Sequence, residues 1–170
     1  MAYPNPPRTW VAGAVATAAQ FNSDLRDALN IIIPVASTTL AWGSYTPTLT
    51  QSATVTKTVT YAKYFQVGKI VVVVWDLAVT GAGTANNAVL VGLPVTAASA
   101  ATKPVGGGMI NDASVPTNIT GLPYLNSTTT FGYLDTTAAA NVVLGQTGAA
   151  FAAALASPDA VRGFAIYEAA

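Results

Sequence analysis

Residues 61–80, YAKYFQVGKIVVVVWDLAVT, decide the fold of this chain. The second half of this stretch, residues 70–75, consists of Ile, Val and Trp, and side chains of this kind fit a pleated sheet and disfavour a helix. The run is short and lies between Gly68 and Gly81, which favours a strand that is buried on both faces. We therefore predict a β-hairpin at the centre of a sheet, with its turn at residues 67–69.

The rest of the second part of the chain consists of short strand-like segments, separated by clusters of Gly, Pro, Asn and Ser. An edge strand is predicted around Pro47, and a half-exposed strand with a threonine face is predicted over residues 55–61. Further strands are predicted at residues 88–93, 108–110, 128–134, 139–144 and 162–169. Strands at this spacing, without alternating helices, indicate a mainly β chain, with an antiparallel β-sandwich or jelly-roll-like domain over residues 42–170.

Residues 1–41 follow a different pattern, which predicts an N-terminal extended arm with one amphipathic α-helix. Prolines in the first residues favour an extended lead. Thr17 and Gln20 have the spacing of a capping box, which predicts a helix over about residues 18–32.

The apolar stripe of this helix includes Phe21, Leu25 and Leu29. Such a stripe packs either on the sheet of its own chain or on a neighbouring subunit, and the sequence leaves both open. These three residues are therefore candidates for an attachment or oligomer interface.

The composition limits the classes of partner. The chain is 52% hydrophobic but only 8% charged, and seven basic residues balance seven acidic ones, so we expect no nucleic-acid partner. A chain with so little charge is expected to expose Thr, Ser and Asn and to hide surface inside an assembly. The prolines at the N-terminus are unlike a signal peptide, and polar residues and glycines interrupt the uncharged residues 136–157, so we expect no membrane insertion.

The residues needed for most catalytic chemistry are absent. The chain has neither histidine nor cysteine, which excludes Ser–His and Cys–His nucleophiles and metal sites that use imidazole or thiolate ligands. We predict no enzyme activity, no cofactor and no metal site. Two alternatives stay open: a pair of carboxylates that converge in the fold, and a calcium site at Asp112 or Asp135. Asp76 is predicted to mark the point at which the buried strand reaches solvent.

Aromatic side chains are the remaining candidates for ligand contact. Trp75, within the valine run, is predicted to lie in the core. Tyr124, in the predicted loop GLPYLN, is the candidate for an exposed ligand contact, with a glycan as the ligand.

Two stretches resemble known phage proteins. RTWVAG at residues 8–13, which continues through TAAQFN to LRD at residues 25–27, resembles the opening of small structural proteins of tailed bacteriophages, especially actinobacterial ones. The chain departs from that pattern with Ala14 in place of Glu and with Phe21 in place of Leu or Met. WGSYTPTLT at residues 42–50, together with the Y-x-x-VGK-x-V pattern of residues 64–71, resembles the entry into the β-domains of phage fibres and minor tail proteins.

The resemblance implies a non-enzymatic virion component on the surface of the phage particle, usually oligomeric and attached through its N-terminal segment. Trp10 and Val11 lie in the first motif and join the candidate attachment residues. We expect a homo-oligomer, most of all a trimer, that is bound to capsid or tail proteins. The sequence is equally consistent with a capsid-decoration or head-fibre protein and with a minor tail or fibre protein. The alternative function is a carbohydrate-binding module or receptor-binding domain that binds a cell-surface glycan.

Overall fold

The structure, a computed structural model, describes residues 12–13, 15, 17–22, 42–137 and 142–170. The chain divides into two compact units, Met1–Ala41 and Trp42–Ala170. The second unit is called the β-domain below.

The predicted capping box is confirmed in the first unit, where residues 18–22 are helical. The backbone N–H of Thr17 donates to Oε1 of Gln20 at 3.0 Å, and the N–H of Gln20 donates to Oγ1 of Thr17 at 3.2 Å. These two bonds satisfy N–H groups that lack partners within a first helical turn. The remainder of the predicted helix and the proline-rich lead lie outside the described residues.

The β-domain consists of antiparallel strands, which confirms the prediction of a mainly β chain. The strands are β1 (Gly43–Ser44), β2 (Leu49–Gln51), β3 (Ala53–Thr54), β4 (Lys57–Val67), β5 (Ile70–Val79), β6 (Leu90–Gly92), β7 (Ala101–Pro104), β8 (Gly106–Asp112), β9 (Thr117–Leu125), β10 (Thr130–Asp135) and β11 (Ala160–Glu168). Their order in the sheet is β1-β4-β5-β11-β8-β9-β10-β6-β2-β3, and β7 pairs with β9. Every pairing between these strands is antiparallel.

The sheet curls, so that its inner face packs against itself. Trp75 of β5 stacks on Phe131 of β10 at a centroid distance of 5.0 Å, although β11, β8 and β9 lie between those strands in the sheet. Both side chains are buried in one hydrophobic core. This arrangement is compatible with the predicted sandwich, although the strands form one hydrogen-bonded sheet.

The predicted hairpin is formed by β4 and β5, with Val67 paired to Ile70 around Gly68. Gly68 has a φ of 56°, a left-handed conformation that glycine adopts without steric cost. Two details of the prediction are wrong. β5 alternates between buried and less buried residues instead of being buried on both faces, because its second face lies on the outside of the curled sheet. The hairpin also lies near one end of the sheet order, between β1 and β11.

Other strands differ more from their predicted positions. The expected edge strand around Pro47 is wrong, because residues 45–48 form a connection between β1 and β2. The sequence did not predict β7 or most of β9, because the Pro and Gly residues in these segments are typical of turns. Of the strand expected at residues 139–144, residues 139–141 lie outside the described part, and Val143 forms an isolated bridge with Leu134.

Gln51 of β2 is a buried polar residue that holds a distant loop in place. Its side chain is fully buried, its Nε2 donates to the carbonyl of Ala153 at 2.8 Å, and its Oε1 accepts from the N–H of Leu155 at 2.8 Å. The N–H of Gly83 donates to the carbonyl of Leu155 at 2.7 Å. One amide therefore satisfies two backbone groups of residues 153–155 that would otherwise lack these bonds.

We expect Gln51→Leu to lower the free energy of unfolding by about 2–4 kcal/mol, because the apolar side chain leaves the Ala153 carbonyl and the Leu155 N–H without their partner. Urea denaturation followed by circular dichroism measures this change. Gln66→Leu is the matched control, because the Gln66 amide makes an exposed hydrogen bond to the Gly68 carbonyl at 2.9 Å. Equal losses for the two variants would contradict the prediction.

Candidate functional site

The structure describes part of the predicted attachment surface. Phe21 lies in the helical turn of residues 18–22 and is 58% exposed. The other predicted attachment residues lie outside the described part of the chain: Trp10, Val11, Leu25 and Leu29. Their interface role stays a prediction.

Tyr124 does not lie in an exposed loop, and this part of the prediction is wrong. It belongs to β9 and is 6% exposed, and its hydroxyl donates to Oδ1 of Asn126 at 3.0 Å. Its ring packs closely over Gly132 of β10, where an added Cβ would lie 2.6 Å from the ring. Burial raises the pKa of the Tyr124 hydroxyl. The reason for considering Tyr124 a ligand contact therefore no longer holds.

Asp112 and Asp159 are buried carboxylates that order neighbouring turns. Oδ1 of Asp112 accepts from the N–H and the hydroxyl of Ser114, at 2.9 and 2.6 Å. The two carboxylate oxygens of Asp159 accept from the N–H groups of Ala113 and Ala156, each at 2.9 Å. Such bonds compensate for burial of the charge, and they assign both side chains to the fold.

Asp135 closes a similar turn. Its Oδ1 accepts from the N–H and the hydroxyl of Thr137, each at 2.7 Å, and its Oδ2 accepts from the N–H of Ala150. Within the described ranges, no group of three or more His, Cys, Asp or Glu residues is arranged to hold a metal ion.

The outer face of the curled sheet is the most unusual surface of the β-domain. Antiparallel register places Arg162 beside Asp76, Phe164 beside Val74 and Ile166 beside Val72. Side chains directly opposite each other on paired strands point to the same face, and residues alternate between faces along each strand. Arg162, Phe164 and Ile166 therefore point outward from β11 while their neighbours point into the core.

We call the exposed apolar side chains on this face the outer apolar patch. They come from β4, β5, β8 and β11, and each is between 37% and 59% exposed: Tyr61, Ile70, Met109, Phe164 and Ile166. At the β1 end of the same face, Trp42 lies beside Phe65, with 6.2 Å between ring centroids. Contiguous exposed apolar patches on soluble proteins often mark interaction sites.

A shallow groove of about 520 Å³ crosses this face. Tyr61, Met109 and Phe164 form part of its lining, and Gly107 lies beneath the Phe164 ring, where an added Cβ would be 3.0 Å from the ring. Glycine at position 107 therefore leaves room for the aromatic side chain of the neighbouring strand.

The groove also contains an ion pair. Nε of Arg162 donates to Oδ1 of Asp76 at 3.1 Å, and both side chains are partly exposed. Such a pair contributes modestly to stability, because water screens it. Asp76 thus lies within β5 and is paired, whereas the sequence predicted that it marked the end of the strand.

No family model, curated protein or solved structure matches the chain significantly. Among the residues that the structure describes, no helix is long and apolar enough to span a membrane.

Proposed function

We propose that the chain is a non-enzymatic structural protein of a tailed-bacteriophage virion, which residues 1–41 anchor and whose β-domain is displayed on the particle surface. The observation that carries this proposal is the resemblance of its two motifs to phage structural proteins. The second motif falls at the entry to the β-domain and at the tip of the β4–β5 hairpin. This position is consistent with a motif that specifies how a β-domain begins.

Several copies of the chain form a homo-oligomer, a trimer above all, in this proposal. Its support is the 8% charged composition, because a free monomer normally carries more charge, together with the outer apolar patch, because an exposed apolar patch is often an interaction site. The partners are capsid proteins for a decoration or head-fibre role, and tail proteins for a minor tail or fibre role. Labelling the protein in micrographs of intact particles distinguishes these two roles.

Incorporation into particles tests the anchoring role. Deletion of residues 1–34 should abolish incorporation while the circular dichroism spectrum still shows a folded β-domain. In the full chain, Phe21→Asp should lower incorporation several-fold, because the exposed Phe21 lies on the predicted attachment stripe. Asn22→Asp is the matched control, at an exposed neighbouring position that is not on this stripe. Incorporation of the deletion variant at the wild-type level would contradict the proposal.

Binding of a glycan is a second candidate function, which would exclude burial of this face between copies of the chain, and the groove on the outer face favours it. The rings of Tyr61 and Phe164 are apolar surfaces suited to stacking on a sugar, and Asp76 and Arg162 can exchange hydrogen bonds with sugar hydroxyls. Binding of the full chain to a glycan array should then be lost in Tyr61→Ala and retained in Val115→Ala, a change at an exposed position in the turn after β8. Absence of any bound glycan would argue against this function.

A further inference from the structure

We propose that the outer apolar patch is the surface through which copies of this chain associate with one another. This inference names a contact for the homo-oligomer of the proposed function, and it rests on that oligomeric part alone. The role in a virion and the anchoring by residues 1–41 are independent of it.

No other part of the described β-domain covers this face. Phe164 and Ile166 are 52% and 53% exposed although they lie in the middle of β11, which pairs with β5 on one side and with β8 on the other. A central strand with full hydrogen bonding normally exposes polar side chains on a solvated face. Burial against another surface explains why apolar residues occupy these positions.

The charges on this face limit the kind of partner that can cover it. Arg162 is paired with Asp76, and Nζ of Lys69 lies 4.0 Å from Oε1 of Glu168. Lys63 of β4 also lies on this face, with its Nζ 5.8 Å from the centroid of the Tyr61 ring, so the face carries two balanced pairs and one further positive charge. A nucleic acid or a strongly acidic protein would gain little from a single excess charge, and a second copy of the same face meets little repulsion.

The size of the face limits the contact that it can form. From β1 to β8 the face spans four strand spacings, and from residue 162 to 168 it spans six residue steps, which gives about 19 Å by about 20 Å. The resulting area of about 400 Å² is comparable with the largest apolar patches of soluble proteins, which are often functional. It is smaller than the roughly 800 Å² per partner of a stable interface, so the patch forms the apolar centre of a contact whose polar rim lies on adjacent residues.

The absence of cysteine from the chain allows a direct test. The full chain carrying Ile166→Cys, treated with a short bismaleimide cross-linker, should form covalent dimers at protein concentrations at which the wild type is oligomeric, because one thiol per chain allows each chain a single cross-link. Val115→Cys is the matched control, because Val115 is 63% exposed in a turn away from the patch. Equal cross-linking of the two variants, or none with Ile166→Cys, would overturn the inference.

A charge placed in the patch provides a second test. Ile166→Asp should weaken self-association of the full chain roughly 100-fold in sedimentation experiments, because the carboxylate would be buried without a partner. Val115→Asp should leave association unchanged. If circular dichroism shows that Ile166→Asp does not fold, Ile70→Asp replaces it, since Ile70 is 59% exposed at the end of β5.

The outcomes separate this inference from the proposed function. An oligomer that withstands the charged substitutions overturns the inference and leaves residues 1–41 as the oligomer contact. A wild-type chain that stays monomeric at all concentrations overturns both the inference and the oligomeric part of the proposed function, whereas incorporation into particles would still support the virion role.

Discussion

Trp75→Ala is expected to lower the free energy of unfolding of the β-domain by about 4 kcal/mol, which is a large share of the roughly 5–15 kcal/mol of a typical domain. Trp75 is the largest of the fully buried side chains, and its indole stacks on Phe131 with 14° between the ring planes. Tyr133 makes an edge contact with the same indole, at a centroid distance of 6.3 Å. Loss of the indole therefore leaves a cavity between strands that meet only because the sheet curls.

The indole also makes a buried hydrogen bond. Nε1 of Trp75 donates to the hydroxyl of Tyr133 at 2.6 Å, and this hydroxyl in turn donates to the carbonyl of Arg162 at 3.4 Å. Truncation removes the shorter of these two bonds from a fully buried phenol, which adds to the cost of the cavity.

Trp75→Phe separates the two contributions, because it keeps an aromatic ring against Phe131 and removes the N–H donor. We expect this variant to lose about half as much stability as Trp75→Ala. Val115→Ala, at an exposed turn position, should change the free energy of unfolding by less than about 0.5 kcal/mol. A folded Trp75→Ala protein with wild-type stability in urea would contradict the assignment of Trp75 to the core.

The features that sequence predicted correctly are local ones. The valine run, Gly68 and the threonine–glutamine spacing each specify structure within a few residues, so the hairpin and the capping box follow from short-range rules. The core position of Trp75 follows as well, because the run around it is too apolar to face solvent on both sides.

β9 could not be predicted because its structure depends on distant pairing. Gly121 and Pro123 resemble turn residues, yet they pair with Asp135 and Tyr133 of β10. The carbonyl of Pro123 accepts from the N–H of Val105 at 2.8 Å, which uses the hydrogen-bonding group that proline retains. Tyr124 was placed in a loop for the same reason, and its burial became visible only with the neighbouring strands in place.

The outer apolar patch escaped prediction for a different reason. In β11, the outward Phe164 and Ile166 alternate with the inward Ala165 and Tyr167, so both faces of the strand are largely apolar. A period of two then gives no indication of which face is exposed. The apolar character of both faces of β11 is itself a signal that the outer face is covered, but it does not show whether the same chain or another one covers it.

Alkaline pH is expected to unfold the β-domain through its buried tyrosines. Burial raises the pKa of Tyr167 to about 12, and burial raises the pKa values of Tyr45 and Tyr133 further. The N–H of Val95, which donates to the Tyr167 hydroxyl at 3.3 Å, opposes part of the increase in the pKa of Tyr167. The fold therefore stabilises the neutral phenols and excludes the phenolates.

The direction of the pH dependence follows from these increases. Below about pH 10 the tyrosines are protonated in both the folded and the unfolded chain, so their contribution to stability is constant. Above about pH 10 the unfolded chain releases these protons while the folded chain retains them, and the free energy of unfolding falls by about 1.4 kcal/mol per pH unit for a fully buried tyrosine such as Tyr133. Release of several such protons offsets the free energy of unfolding of a typical domain, so we expect the β-domain to unfold between about pH 11 and about pH 12.

Tyrosinate absorbance and circular dichroism, recorded together against pH, measure this transition, and part of the absorbance should rise cooperatively as the strand signal is lost. Tyr45→Phe is the informative variant, because the buried Tyr45 hydroxyl has no hydrogen-bond partner among the described residues. Its removal should leave stability at pH 7 unchanged or raise it by about 1 kcal/mol, while the slope above pH 10 decreases by one proton. Titration of all seven tyrosines near pH 10 without loss of the strand signal would show that the phenols are accessible to solvent, and the packing described for Tyr45 and Tyr133 would then be wrong.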